Sequence, residues 1–291
     1  MFALHQRAGR YGGLHGGVVD WRDVPEFDTS GQLVTAVVDD RSSFIELAVA
    51  GVWDRELRLR ADLMIGKCLA SHPAAIVVDL LFLDDPDQAS VPMWLSLQVR
   101  GARMMPAVPI AVCARDGSPM ADGLAWRGGR FGPPLFADPA QARKALTSGL
   151  PMTDQVRRWL PPKPQSATSA RRLVVAACEQ WRLAAAVATR AQLVVSQLVV
   201  NAVEHAGTPI EVVVTRIGSR RRGGVLRPAA GVHVAVYDLD PRLPPGWRDN
   251  LQESPPPRRR GQGLDVIAAD FSGVLPTRQG KMIWAILRNT R

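Results

Sequence analysis

The sequence predicts two domains, an α/β unit followed by an α+β sandwich. Three observations carry this expectation. Between Gln32 and Leu146, apolar runs suited to strands alternate with segments of helical spacing, the order of a layered α/β sheet. The Pro- and Ser-rich stretch from Pro161 to Arg172 then breaks that order, as a linker does. Beyond it come two helical segments, two strands, a long irregular loop, a helix and two closing strands. The expected boundaries are a flexible leader over 1–30, the α/β unit over 31–150, a linker over 151–172 and the sandwich over 173–291.

Gln32 to Val38 and Phe44 to Val52 suit strands, and Gly51 to Asp54 ends the second. Glu56 to Ala70 is spaced as a helix, with Leu57, Leu59, Ala61, Met64, Ile65 and Leu69 apolar. Ala75 to Leu83 is continuously apolar up to its Asp, as a buried strand would be. Ala89 to Met104 reads as a helix with Pro92 in its first turn. Pro109 to Ala114 reads as a short strand and Ala140 to Leu146 as a helix. In the second half, Leu173 to Leu183 and Thr189 to Ala206 read as helices, and Ile210 to Ile217 and Val232 to Tyr237 as strands. Gly218 to Gly231 is a basic turn, with Arg220 to Arg222 among glycines. Gln262 to Phe271 reads as a helix after a glycine start. Val274 to Arg278 and Lys281 to Leu287 pair around Gly280.

A formal net charge of +9 favours acidic partners such as nucleotides, nucleic acid or an acidic protein surface, without choosing among them. Cys68, Cys113 and Cys178 stand apart, with neither metal spacing nor a paired framework, which suits a reducing cytoplasm. The five histidines form no cluster. No uninterrupted apolar run reaches membrane-spanning length, and nothing near Met1 reads as a secretory signal.

The stretch that organises the chain is Ala191 to Pro209. Gln197, Asn201 and His205 step by four, so on a regular helix they share a face. By itself this stripe reads more readily as a solvated face than as a site. Asp238, at the end of the Val232–Tyr237 strand, reads by itself equally as an ordinary strand-ending turn and as a site carboxylate. Gly261-Gln262-Gly263-Leu264 would let the backbone approach an anion at a helix start, or simply turn a loop into a helix. Arg258, Arg259 and Arg260 precede it and add positive charge.

Taken in order, four boxes resemble the histidine-kinase-like ATP-binding fold (GHKL), and within it the anti-sigma-factor serine kinases. They are Gln197-x-x-x-Asn201-Ala202-Val203-x-His205-Ala206, Val236-Tyr237-Asp238, Gly261-Gln262-Gly263-Leu264, and Gly280-Lys281-Met282-Ile283-Trp284. The resemblance implies a GHKL α/β sandwich that binds ATP. Asn201 would be the Mg²⁺ ligand and Asp238 the acceptor for the adenine amine. His205, Arg260, Gly261, Gly263 and Leu264 would line the nucleotide. In the first half, Ala50-Gly51-Val52-Trp53-Asp54 and Ala74 to Asp85 resemble a STAS domain, the fold of anti-sigma-factor antagonists. Where that family carries a phosphorylatable serine or threonine turn, this chain has Asp84-Asp85-Pro86-Asp87-Gln88-Ala89-Ser90. Ser90 reads as a helix cap or first-turn residue and the aspartates as a solvated acidic turn.

The pattern departs from the active kinases at Gln197, which stands where they carry the glutamate that orients the attacking group. A carboxamide does not act as a general base at neutral pH, and that help is commonly worth ~10²–10⁴ in rate. The expectation is therefore a cytoplasmic regulator of the anti-sigma, partner-switching type. It binds ATP and Mg²⁺, engages a sigma factor or an anti-sigma antagonist, and transfers phosphate poorly. A homo-oligomer is left open. The alternatives are an active serine/threonine kinase or ATPase that uses Glu204 or a water, and a basic nucleic-acid-binding regulator. The second lacks any recognisable DNA-reading motif.

Overall fold

The computed structural model describes residues 31–39, 43–148, 154–218, 231–242 and 268–289, and the backbone of 221–222 and 225–226. The expected leader, Arg260 and the Gly261–Leu264 box lie outside the described residues.

The first unit opens with strands β1 (Leu33–Val38) and β2 (Phe44–Val52), paired antiparallel with Leu33 opposite Ala50. Helix α1 (Arg55–Ala70) follows. Its N-terminus is capped by Asp54, whose carboxylate accepts from the Leu57 amide at 2.8 Å. Strand β3 (Ala75–Asp79) runs parallel to β2, and a short β4 (Leu83–Asp84) extends alongside the end of β2. The run read as one strand to Leu83 breaks at Asp79, whose Oδ1 accepts from the Leu81 amide at 3.0 Å and turns the chain.

Helix α2 (Val91–Arg103), β5 (Ile110–Cys113), α3 (Pro119–Gly128), β6 (Leu135–Phe136) and α4 (Pro139–Ser148) complete the unit. The sheet order is β1-β2-β3-β5-β6, parallel except for β1, and gives the mixed α/β architecture expected. Leu57, Ile65, Trp94 and Leu124 pack on one face of the sheet, and Ala142 and Leu146 on the other. Helix α3 and strand β6 were not anticipated, because the segment around them is rich in Gly and Pro. The Ser118-Pro119 start was nonetheless a readable signal: the Ser118 hydroxyl caps the helix at Ala121.

The second unit begins earlier than expected. The span 151–172, read as a linker, contains strand β7 (Gln155–Leu160) and the start of helix α5 (Gln165–Gln180). Its polar composition reflects an exposed edge strand and the solvent side of a helix. Helix α6 (Ala185–Asn201) continues into a π-helical turn, Ala202–Ala206. Strands β8 (Ile210–Ile217), β9 (Arg221–Arg222), β10 (Val225–Leu226), β11 (Gly231–Asp238), β12 (Phe271–Pro276) and β13 (Lys281–Arg288) follow. The expected basic turn holds the β9–β10 pair. The helix expected over Gln262–Phe271 lies mostly outside the described residues, and Phe271 itself opens β12.

Strands β12-β13-β11-β8-β7 form a five-stranded antiparallel sheet. Helices α5 and α6 cover one face, where Val212, Val214, Val234, Val236, Ile283 and Ala285 meet Val194, Val195, Leu198 and Val199. The segment Ala185–Ala206 is long and apolar enough to cross a membrane, but a sandwich's core helix meets the same test, and this one is packed on the sheet. The alternate residues Val213, Ala235, Tyr237, Met282, Trp284 and Ile286 face the other way and pack into the core of the first unit. A β bridge joins Val38 to Thr277, and the Gly218 amide donates to the Met105 carbonyl at 2.9 Å. The two units thus share one continuous core.

Candidate functional site

At one end of the second sheet the chain leaving α6 meets the end of its central strand, β11. Asn201 is the last residue of α6. It is half-buried and makes no side-chain hydrogen bond among the described residues. Gln197, one turn earlier, is also half-buried. The π turn then closes with the Gly207 amide on the Ala202 carbonyl at 3.1 Å and Gly207 in the left-handed region at φ 62°. His205 lies within this turn and is exposed. The Thr208 hydroxyl accepts from the Leu239 amide at 3.0 Å and ties the helix end to the residue after Asp238.

Asp238 is 2% exposed. Register places it directly opposite Lys281, the first residue of β13. The close approach needs Gly280: a Cβ there would overlap the Asp238 carbonyl. Lys281, itself buried, donates to Asp238 Oδ1 at 2.9 Å and to the Asp240 carbonyl at 2.9 Å, and lies 3.6 Å from Asp240 Oδ2. The Asp240 amide also donates to Asp238 Oδ1, at 2.9 Å. Oδ2 of Asp238 is buried and has no partner among the described residues.

Burial pushes the Asp238 carboxyl above its ordinary value, and the hydrogen bonds from Lys281 and the Asp240 amide offset only part of this. At Asp240 the balance is reversed. Burial raises its carboxyl, but the hydrogen bonds from Arg242 and the charge of Lys281 hold it below the ordinary range. The carboxylate oxygen at the end of β11 lacks a donor, and the amide at the end of α6 is uncommitted. Such a pair can take an amine N–H and a hard cation respectively. Among the described residues no group of three or more His, Cys, Asp or Glu side chains could hold a metal.

Met282 and Trp284 point into the core shared with the first unit, away from α6. The contact there is polar as well as apolar. His72, which follows α1, lies 5.9 Å from His233 of β11, ring centre to ring centre, and His233 stacks on Trp284 at 5.8 Å. Arg157 of β7 donates to the Ser43 hydroxyl at 2.7 Å and pairs with Glu211 at 3.4 Å. Glu46 of β2 pairs with both Arg143 of α4 and Arg278, the latter at 3.2 Å. The cavity between His72, His233, Tyr237 and Ser43 has room for about one water molecule, not for a nucleotide.

In the acidic turn of the first unit, Asp85 is buried. Its oxygens accept from the Ala89 amide at 2.9 Å and the Ser90 amide at 2.8 Å, so it is not part of a solvated turn as expected. Ser90 is fully buried and accepts from the Trp94 indole at 2.9 Å. Its hydroxyl therefore holds α2 in place and is not presented to a modifying enzyme.

Lys281 and the inter-unit contact were missed from the sequence, although a lysine and a histidine inside apolar strands were visible signals. No family model matches the chain, and a comparison with curated proteins finds no match. Among solved structures the chain is similar to an anti-sigma factor antagonist from Mycobacterium paratuberculosis, with 22% identity and a TM-score of 0.31, over 40% of this chain and 95% of that one.

Proposed function

We propose that this chain is a cytoplasmic adenine-nucleotide-binding regulator of the anti-sigma, partner-switching type, built on a STAS-like unit and a GHKL-like sandwich. The observation that carries the reading is the donor-free Oδ2 of buried Asp238 beside the end of α6. A buried acceptor left open costs about 1–3 kcal/mol, which a ligand's N–H would recover. Adenine supplies such a donor in its exocyclic amine, and guanine carries a carbonyl at that place. Asn201 would contribute one oxygen to Mg²⁺, a cation that commonly takes few protein ligands and completes its shell with phosphates and water. Bound Mg²⁺ would neutralise phosphate charge. Gln197 would hold a phosphate or water by hydrogen bonds without removing a proton, so nucleotide serves as a conformational signal. The partner would be a sigma factor or an anti-sigma antagonist protein, engaged better by one nucleotide state than by the other.

Isothermal titration of the full chain with Mg²⁺-ATP and Mg²⁺-GTP tests the reading. The expected result is ATP binding at about micromolar Kd, GTP weaker by about tenfold or more, and a similar loss for ATP in Asp238→Asn. No heat from ATP up to about millimolar concentration, or equal binding of ATP and GTP, would overturn it.

A further inference from the structure

A second site lies at the other end of β13, seven residues from Lys281 and so about 23 Å away at strand rise. Here the junction between the units opens into a cleft of about 410 Å³. That volume is in the range of small-molecule sites. The first unit contributes Leu69, His72, Arg100, Arg103 and Met104, from the ends of α1 and α2. The second contributes Phe271, Ile286 and Arg288. Three guanidiniums thus converge over an apolar floor. The Arg288 guanidinium lies over the Phe271 ring, 4.9 Å from its centre, so it is held flat against an aromatic face.

The positive charge here is largely uncompensated. Arg100 has an exposed pairing with Asp62 at 3.3 Å. Neither Arg103 nor the Arg288 guanidinium has a carboxylate partner among the described residues. The nearby Asp270 is already engaged by Arg190 at 2.9 Å and by the Arg288 amide at 2.6 Å. Helix-end arginines alone would be ordinary, since cations suit a helix C-terminus. Arg288, however, ends a strand, and His72 adds a separate observation. It follows α1 in the left-handed region, φ 47°, where glycine is the usual helix stop. Its Nδ1 is buried and lacks a hydrogen-bond partner among the described residues. The backbone thus accepts an unfavourable conformation that sets an imidazole at the inner wall of the cleft.

We propose that this cleft binds a small molecule carrying a phosphate or carboxylate on a flat apolar body. Arg103 and Arg288 hold the anion and the Phe271–Ile286–Leu69 floor takes the body. Because each unit supplies one wall, the ligand binds only the docked arrangement and stabilises it. The site is an effector site, independent of the nucleotide reading at Asp238.

The test is calorimetry on the full chain with phenyl phosphate, inorganic phosphate and phenol as probes, alongside thermal melts. Phenyl phosphate is expected to bind with a submillimolar Kd, about tenfold or more tighter than inorganic phosphate, and to raise the melting temperature. Arg103→Ala and Arg288→Ala should each weaken it about tenfold. Arg288→Lys, which keeps the charge but loses the flat stack, should weaken it less. Asp238→Asn should leave it unchanged. The proposal is overturned if phenyl phosphate gives no heat at about 10 mM, if it binds no better than inorganic phosphate, or if both alanine variants bind it like the unaltered chain.

Discussion

Acidification should pull the two units apart, and the reason is the histidine pair between them. Burial holds His72 down to about 4, assisted by the charge of Arg288, and holds His233 down to about 3, assisted by His72. The ordinary value for both is 6.5. Arg100 and Arg103, also cationic, line the cleft with His72. Above 6.5 both histidines are neutral in the folded and unfolded chain alike, and their full contribution is present. Below it the unfolded chain takes up two protons that the folded chain refuses, until pH reaches the folded values.

Stability therefore falls as pH falls, by about 1.4 kcal/mol per pH unit for each refused proton. For the pair this is about 2.7 kcal/mol per unit between about pH 6 and 4. Against a typical total of about 5–15 kcal/mol, one pH unit removes a substantial fraction. Urea denaturation in steps of about half a pH unit from about 7.5 to 4.5 measures this slope. Burial raises the Asp238 carboxyl, which changes stability with the opposite sign as pH falls, so the decisive quantity is the difference between the unaltered chain and a His72→Gln/His233→Gln variant. The variant will start lower at neutral pH, but its curve should be flatter by about 2.7 kcal/mol per unit. Parallel curves would show that these imidazoles are not shielded from water and that the reasoning from their burial is wrong.

Two further outcomes are expected. Lys281→Met should destabilise the chain by about 3–5 kcal/mol in chemical denaturation by stranding Asp238, while Lys281→Met with Asp238→Asn should recover a large part; a loss below about 1 kcal/mol would contradict a buried pair. If ATP binds as proposed, Gln197→Glu should raise phosphate release about 10²-fold or more without tightening binding, and an unchanged rate would remove Gln197 from the transferring position.

The strands that the sequence announced clearly, Phe44–Val52 and Ile210–Ile217, are mostly apolar with a glycine at or next to their ends, and local preference and burial agree there. Strand β7 was hidden for the opposite reason. Gln155-Val156-Arg157-Arg158-Trp159-Leu160 is polar and mostly exposed, and only its partner β8 makes it a strand. The shared core was legible in principle. An antiparallel sheet with helices on one side and water on the other alternates apolar with polar, yet β8, β11 and β13 are apolar on both faces. That pattern requires a second covering layer, which the first unit provides.

The same rule goes further when applied to the exceptions. A polar side chain inside a strand buried on both faces must be satisfied or strained. Five such residues stand in these strands: Glu211, Thr215, His233, Asp238 and Lys281. Glu211 pairs with Arg157 and Thr215 accepts from Gln155, both on β7; Lys281 pairs with Asp238; and His233, whose Nε2 has no partner among the described residues, packs against His72 across the unit boundary. The elements that local pattern missed are therefore the ones the buried polar residues demand.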